Sequence, residues 1–208
     1  MYSEFPLGEE IFLLPGPAGD LEVLTTSPAE AKAVAIICHP HPLFSGTMHN
    51  KVVSTLAKTC QELGLRTVRF NFRGVGKSTG TFAEGVGEAD DLFAIIQWVQ
   101  HVCPAEKIWL AGFSFGAAVS IYAATKIHVE KLISIAPPVS RFPLIKNAVV
   151  TCPWILVQGD ADDIVLADEV FAWIETLTHK PTVIRMLGVG HFFHGQLLQL
   201  KQKLIDAQ

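Results

Sequence analysis

The sequence predicts a mostly parallel α/β fold, with helices on both faces of a central sheet and antiparallel strands at its N-terminal end. Short apolar runs typical of buried strands alternate with longer segments of helical periodicity. The runs are nearly continuous in apolar residues, as a parallel sheet covered on both faces requires. At 208 residues, the chain is expected to form a single domain over residues 1–208.

The elements follow in order from these patterns. A Pro/Gly-rich turn at residues 15–20 joins the first two strands, which are therefore antiparallel. The predicted strands are residues 10–14, 21–25, 33–38, 66–72, 107–111, 131–136, 154–158 and 182–187. The predicted helices are residues 50–63, 88–102, 117–124, 168–177 and 193–205. The connection at residues 137–153 is too short for a cap domain, so an open site is expected.

Composition and charge argue against two kinds of partner, a membrane and a nucleic acid. Residues 108–125 carry no charge over about the length of a membrane span. Gly112, Ser114 and Gly116 divide that run into a strand and a helix, so no membrane partner is expected. The net charge of −4, without a long basic run, argues against nucleic acid. Four scattered cysteines and the lack of a secretory pattern are typical of a cytoplasmic protein.

The most informative segment is Gly-Phe-Ser-Phe-Gly at residues 112–116, which lies between a predicted strand and a predicted helix. In that context, G-x-S-x-G places its serine on a tight turn at the carboxyl end of a sheet. The flanking glycines allow neighbouring backbone to approach closely, and the helix N-terminus favours developing negative charge. Ser114 is therefore the candidate nucleophile.

A serine hydroxyl needs a base to accept its proton and a carboxylate to orient that base. His191 follows the last predicted strand and is the candidate base, with His194, in the first turn of the final helix, as its competitor. Asp160, Asp162 and Asp163 follow an earlier strand, and all three remain candidates for the acid. Asp162 is favoured because it has cleared the sheet edge and can turn back toward the histidine.

The oxyanion of an acyl-transfer intermediate needs two backbone N–H donors. Phe115, directly after the serine, should supply one of them. The other should come from the loop after the third strand, where Pro40 and Pro42 have no N–H to offer. His41 and Leu43 remain, and His41 is preferred.

With these residues in place, the chain resembles the serine hydrolases of the α/β-hydrolase fold over nearly all of its length. Three segments carry a narrower likeness to small lidless bacterial hydrolases: HPHPL at residues 39–43, RFNFRG at residues 69–74 and GFSFG at residues 112–116. The resemblance implies an acyl-enzyme mechanism with this triad: Ser114, Asp162 and His191. Many members have His-Gly after the third strand, and His39-Pro40 here leaves the second oxyanion donor open.

The expected partner is a small-molecule ester or thioester, and no metal or organic cofactor is implied. Residues 74–78 end in Gly-Lys-Ser, but Asn71 occupies the position where a phosphate-binding loop needs its first glycine. An acyltransferase or peptidase using the same triad and a catalytically silent binding protein are the alternatives. The open site predicts a preference for short or accessible acyl groups.

Overall fold

The computed structural model describes residues 4–28 and 30–208, and one sheet extends through that part of the chain. Its eight strands are β1 Gly8–Gly16, β2 Gly19–Ser27, β3 Ala33–Cys38, β4 Arg66–Phe70, β5 Lys107–Phe113, β6 Lys131–Ile135, β7 Trp154–Gly159 and β8 Thr182–Met186. The α-helices are α1 Lys51–Glu62, α2 Val86–Val102, α3 Phe115–Ala124, α4 Ala167–Thr176 and α5 Leu197–Asp206. The strand order is β1-β2-β4-β3-β5-β6-β7-β8.

The sheet is antiparallel at its N-terminal edge and parallel elsewhere. β1 pairs with β2, and β2 with β4, in antiparallel register. The strands from β4 to β8 in the sheet order all run parallel. The predicted fold class is confirmed, and the parallel strands present their carboxyl ends at one edge, where such sheets place ligands.

The central strands are apolar on both sides, and helices cover both faces of the sheet. In β3, Val34 and Ile36 pack into the cluster that includes α2, α3 and α4, whereas Ile37 packs into the cluster that includes α1 and α5. α3 is buried along almost its whole length. Its Ser120 hydroxyl donates to the carbonyl of Ala111 in β5 at 3.1 Å. These contacts hold the N-terminus of α3 directly against the end of β5.

The connection between β6 and β7 leaves the carboxyl edge of the sheet uncovered. Within residues 136–153, all of which the structure describes, the one helical element is the 3₁₀ turn Pro143–Ile145. The length and the path of this segment therefore agree with the prediction that the chain has no cap domain.

Several predicted ends differ from the observed ones, and two of the differences have identifiable causes. α5 begins later than predicted because Phe193 and Gly195 have φ values of 54° and 72°, which a right-handed helix cannot contain. β4 ends at Phe70 because the Phe72 amide donates to the Nε2 atom of His39 at 3.0 Å instead of to a neighbouring strand. Both differences fall at the carboxyl edge of the sheet.

The uncharged run at residues 108–125 is divided between β5 and α3, as predicted. In the described ranges, no helix combines the length and the apolar character needed to cross a bilayer.

Candidate active site

Ser114 lies on a strained turn between β5 and α3. Its φ of 53° and ψ of −120° belong to a region that residues other than glycine rarely occupy. A Cβ atom on Gly112 would lie 2.2 Å from the carbonyl oxygen of Gly116. A Cβ atom on Gly116 would lie 2.4 Å from the carbonyl oxygen of Cys38. Both glycines are thus required by close backbone approach, and the turn they permit directs Ser114 toward the edge of the sheet.

The structure brings His191 between Ser114 and Asp162. The His191 Nε2 atom lies 3.1 Å from the Ser114 hydroxyl, and its Nδ1 atom lies 2.7 Å from the Asp162 Oδ2 atom. All three residues are buried, with His191 4% exposed. Because a carboxylate can only accept, Nδ1–H donates to Asp162 and leaves Nε2 free to accept the serine proton. His194 is exposed and contacts Phe192 instead, in a turn before α5.

The three candidate aspartates separate clearly by their partners. Asp160 accepts a hydrogen bond from the Gly188 amide at 2.6 Å and pairs with Arg185 at 3.3 Å. Asp163 is exposed. Asp162 is the one whose carboxylate contacts the imidazole of His191.

The Asp162 carboxylate is held by four donors. Its Oδ1 atom accepts from the amides of Ile164 at 2.9 Å and Val165 at 2.7 Å. Its Oδ2 atom accepts from His191 and, at 3.3 Å, from the Gln158 side chain. Burial alone raises the pKa of Asp162, but the hydrogen bonds from His191 and the two amides outweigh it, so the pKa lies below its ordinary value. The carboxylate is therefore ionised and fixed in orientation behind the imidazole.

Gln158 is a site residue that the sequence analysis missed. Its buried Nε2 atom contacts the carbonyls of Gly159 and Val165, each at 3.1 Å, as well as Asp162. It thereby ties the end of β7 to the turn that carries the carboxylate. The available signal was one amide side chain at the end of an otherwise apolar strand.

The candidate oxyanion donors are the amides of Phe115 and His41. Within residues 4–28 and 30–208, neither amide donates a hydrogen bond to another protein group. The two side chains touch, with ring centroids 5.0 Å apart, so the loop after β3 lies against the start of α3. The alternative donor, the Leu43 amide, is occupied by the His41 Nδ1 atom at 3.2 Å. Of these two residues, His41 is the one whose amide is not used by another described protein group.

His39 is buried beside this loop, and both of its ring nitrogens bond to backbone groups. Its Nδ1–H donates to the carbonyl of Pro40 at 2.6 Å, and its Nε2 atom accepts from the Phe72 amide at 3.0 Å. Burial lowers the pKa of His39 to about 4. The ring is therefore neutral and ties the loop after β3 to the end of β4.

The Gly-Lys-Ser segment packs against the sheet as a turn. The Ser78 hydroxyl donates to the carbonyl of Asn71 at 2.6 Å and accepts from the amide of Glu22 at 2.9 Å. The buried Glu22 carboxylate accepts from the Lys77 amide at 2.9 Å. Residues 74–78 are therefore held as a turn by bonds to β2 and to the end of β4.

Two cavities open beside Ser114, one of about 530 Å³ and one of about 360 Å³. Both are lined by the same five residues: His41, Phe44, Ser114, Arg141 and Ile164. The larger cavity is completed by mostly apolar groups and one carboxylate: Phe82, Glu84, Phe115, Pro138, Phe142, Pro143 and Val165. The smaller cavity is completed by Pro40, Ser45, Gly46, Asn50, His191 and Phe192. Ser114 thus lies at the boundary between the two cavities.

Comparisons with known proteins place the chain among hydrolases. Residues 36–151 match the family described as alpha/beta hydrolase fold. An uncharacterized protein from Rickettsia prowazekii is 34% identical over 204 residues, which cover 92% of this chain and 85% of that protein.

Two solved structures are similar over nearly the whole chain. An alpha-beta serine hydrolase homologue from Coxiella burnetii is 47% identical, with a TM-score of 0.92 and coverage of 98% of this chain and 99% of that one. A serine hydrolase without a lid from Xanthomonas campestris is 44% identical, with a TM-score of 0.95 and coverage of 98% and 95%.

Proposed function

This chain belongs to the alpha/beta hydrolase fold family of serine hydrolases, and from that premise we propose that it cleaves carboxylic esters or thioesters through an acyl-enzyme on Ser114. The observation that carries the proposal is the alignment of hydroxyl, imidazole and carboxylate, with contacts of 3.1 Å and 2.7 Å. A binding protein has no need of a strained serine backed by this relay.

In the first half-reaction, the Ser114 hydroxyl attacks the acyl carbon while its proton passes to the Nε2 atom of His191. Asp162 holds the imidazole in the tautomer that accepts this proton and stabilises the imidazolium that results. Collapse of the tetrahedral intermediate breaks the bond to the leaving group. His191 returns the proton to the departing oxygen or sulfur, which leaves an acyl ester on Ser114.

In the second half-reaction, water repeats these steps. His191 removes a proton from the water as it attacks the acyl-enzyme, and then returns a proton to Ser114 as the carboxylic acid departs. The reaction consumes one water and one ester, and it yields one acid and one alcohol or thiol. All the proton transfers use groups of this chain.

The oxyanion formed in each half-reaction is assigned to the amides of Phe115 and His41. Two observations support this: both amides are free of protein acceptors in the described chain, and both residues line the larger cavity beside Ser114. Each such donor contributes about 2.7–4 kcal/mol to transition-state stabilisation in comparable hydrolases.

The two cavities divide between the acyl group and the leaving group. The leaving group must depart next to His191, because His191 protonates it. His191 lines the smaller cavity and not the larger one. The acyl group is therefore assigned to the larger cavity, where phenylalanine and proline side chains favour an apolar acyl chain. Since the site has no lid, we expect short acyl groups to be preferred.

A fluorophosphonate probe and a series of p-nitrophenyl esters test the proposal. Wild-type protein is expected to be labelled on the peptide that contains Ser114 and to hydrolyse the short-chain esters. S114A should lose both labelling and turnover. S140A removes a hydroxyl from an exposed residue that lines neither cavity, and it should behave like the wild type.

Two results would contradict the proposal in different ways. Wild-type protein that is not labelled, under conditions that label a known serine hydrolase, would support a catalytically silent binding protein. An activity optimum at long acyl chains would leave the chemistry intact but overturn the expected preference for short ones.

A further inference from the structure

A single guanidinium lies where the two cavities meet. Arg141 lines both cavities, and it is exposed to solvent. Among the residues that the structure describes, it pairs with no carboxylate. In a chain whose net charge is −4, a cation beside Ser114 that forms no salt bridge is available to an external anion.

The backbone that carries Arg141 is anchored on both sides. The Arg141 amide donates to the carbonyl of Pro138 at 3.0 Å, closing a turn directly after β6. The next residue, Phe142, is 5% exposed, and its ring packs edge-on against that of Phe115 with centroids 5.7 Å apart. Arg141 therefore lines the two cavities that it shares with Ser114 from an anchored backbone, and not from a free loop tip.

The charges of the two cavities differ. The larger cavity contains the carboxylate of Glu84 together with Arg141, so its formal charges cancel. The smaller cavity is lined by no carboxylate, and Arg141 is its one permanently charged side chain among the described residues. Burial lowers the pKa of His41, which keeps that imidazole neutral near pH 7. The electrostatic preference for an anion consequently falls on the side of His191.

We propose that Arg141 makes this hydrolase selective for esters whose leaving group carries a carboxylate. The inference rests on the proposed ester hydrolysis and specifies its substrate class: an apolar acyl group in the larger cavity, and an acidic alcohol, phenol or thiol in the smaller one. A single guanidinium matches one carboxylate through a paired set of N–H donors. One guanidinium balances the single charge of a carboxylate, whereas a phosphate dianion would keep an excess negative charge in the smaller cavity, whose described lining holds no other cation than Arg141 at neutral pH.

Two esters that differ in one group provide the test. The butyryl ester of 4-hydroxybenzoate has an anionic leaving group, and the butyryl ester of 4-hydroxybenzamide has a neutral leaving group of nearly the same shape. The quantity measured is the ratio of kcat/KM for the anionic ester to that for the neutral one. Taking the ratio within each variant removes the intrinsic difference in reactivity and any general loss of activity.

R141Q is expected to lower this ratio by about five- to tenfold, and R141E by more, because a charged contact at a partly exposed site is lost or reversed. The effect should fall mainly on KM, since the contact exists before and during the chemical step. It should shrink as salt rises, because salt screens exposed charges. K146Q removes a charge of the same sign from the same connection, at a residue that lines neither cavity, and it should leave the ratio unchanged.

An R141Q ratio equal to that of the wild type would overturn the inference while the proposed function stands. A K146Q ratio that falls as much as that of R141Q would also overturn it, since the effect would then reflect overall charge. If the wild type cleaved neither ester and S114A behaved in the same way, the proposed ester hydrolysis would be overturned. The proposed selectivity, which depends on it, would then be overturned as well.

Discussion

Two buried histidines at the same edge of the sheet differ in what they contact. His39 follows β3 and is bonded through both ring nitrogens to backbone groups, the carbonyl of Pro40 and the amide of Phe72. His191 follows β8 and is bonded through both to side chains, those of Asp162 and Ser114. Their exposures, 0% and 4%, are nearly equal. The two rings differ in their partners and hardly at all in their burial, so it is the partners that would separate a structural imidazole from the proposed base.

The largest expected effect is on turnover, and it should distinguish His191 from His39. H191Q should lower kcat by about 10⁶-fold, because the serine loses its base. H39Q should retain turnover at pH 7.5 as long as the protein is folded, because His39 contacts no reacting group. Steady-state hydrolysis of p-nitrophenyl butyrate, with folding checked by circular dichroism, measures both. Equal losses in two folded variants would remove the distinction.

The next effect concerns the carboxylate behind His191. D162N should lower kcat by about 10⁴-fold, because an amide at this position favours the wrong tautomer of the imidazole. D160N is the matched control, since Asp160 follows the same strand but bonds to Gly188 and Arg185. A D160N variant with the greater loss of turnover would assign the acid to Asp160 and contradict the geometry described above.

A smaller effect tests whether the β3 loop takes part in chemistry through its backbone. H41P removes one N–H while preserving the local path, because His41 already has a φ of −52°, within the range of proline. It should lower kcat by about 100- to 1,000-fold if that amide stabilises the oxyanion. H41A retains the amide and loses the ring, so a comparable loss in H41A would assign the effect to the side chain.

The smallest effect is a change in stability with pH. His39 titrates near pH 4 when folded and near its ordinary value of 6.5 when unfolded. Between these values the unfolded chain binds more protons, so the free energy of unfolding falls as the pH is lowered from about 6.5 to 4. The difference amounts to about 3 kcal/mol. Urea unfolding between pH 4 and 8 should give a flatter profile for H39Q than for the wild type, and parallel profiles would show that His39 is not held neutral.

The fold was predictable because its main signals are local. Apolar runs mark the buried strands, and the glycines around Ser114 mark a turn that few other sequences could form. The ends of helices and strands were harder to predict where tertiary contacts determine them. The end of β4 depends on His39, distant in sequence, and the start of α5 depends on the backbone at Phe193.

The candidate site was predictable to the extent that chain order and strand ends constrain it. The pattern indicated Ser114 and His191 directly, because each follows a strand in a recognisable setting. Choosing Asp162 required knowing which carboxylate turns back, and that depends on the amides of Ile164 and Val165. Gln158 and Arg141 could not be found in this way, because their significance depends on contacts and cavities formed by distant segments.

The short connection between β6 and β7 also affects how a catalytic cycle would be timed. With no cap to open or close, substrate entry and product exit need no domain movement, so conformational gating should not limit turnover. The same exposure lets bulk solvent reach the acylated serine throughout its lifetime. Water should therefore outcompete other acceptors, which favours deacylation by hydrolysis over acyl transfer.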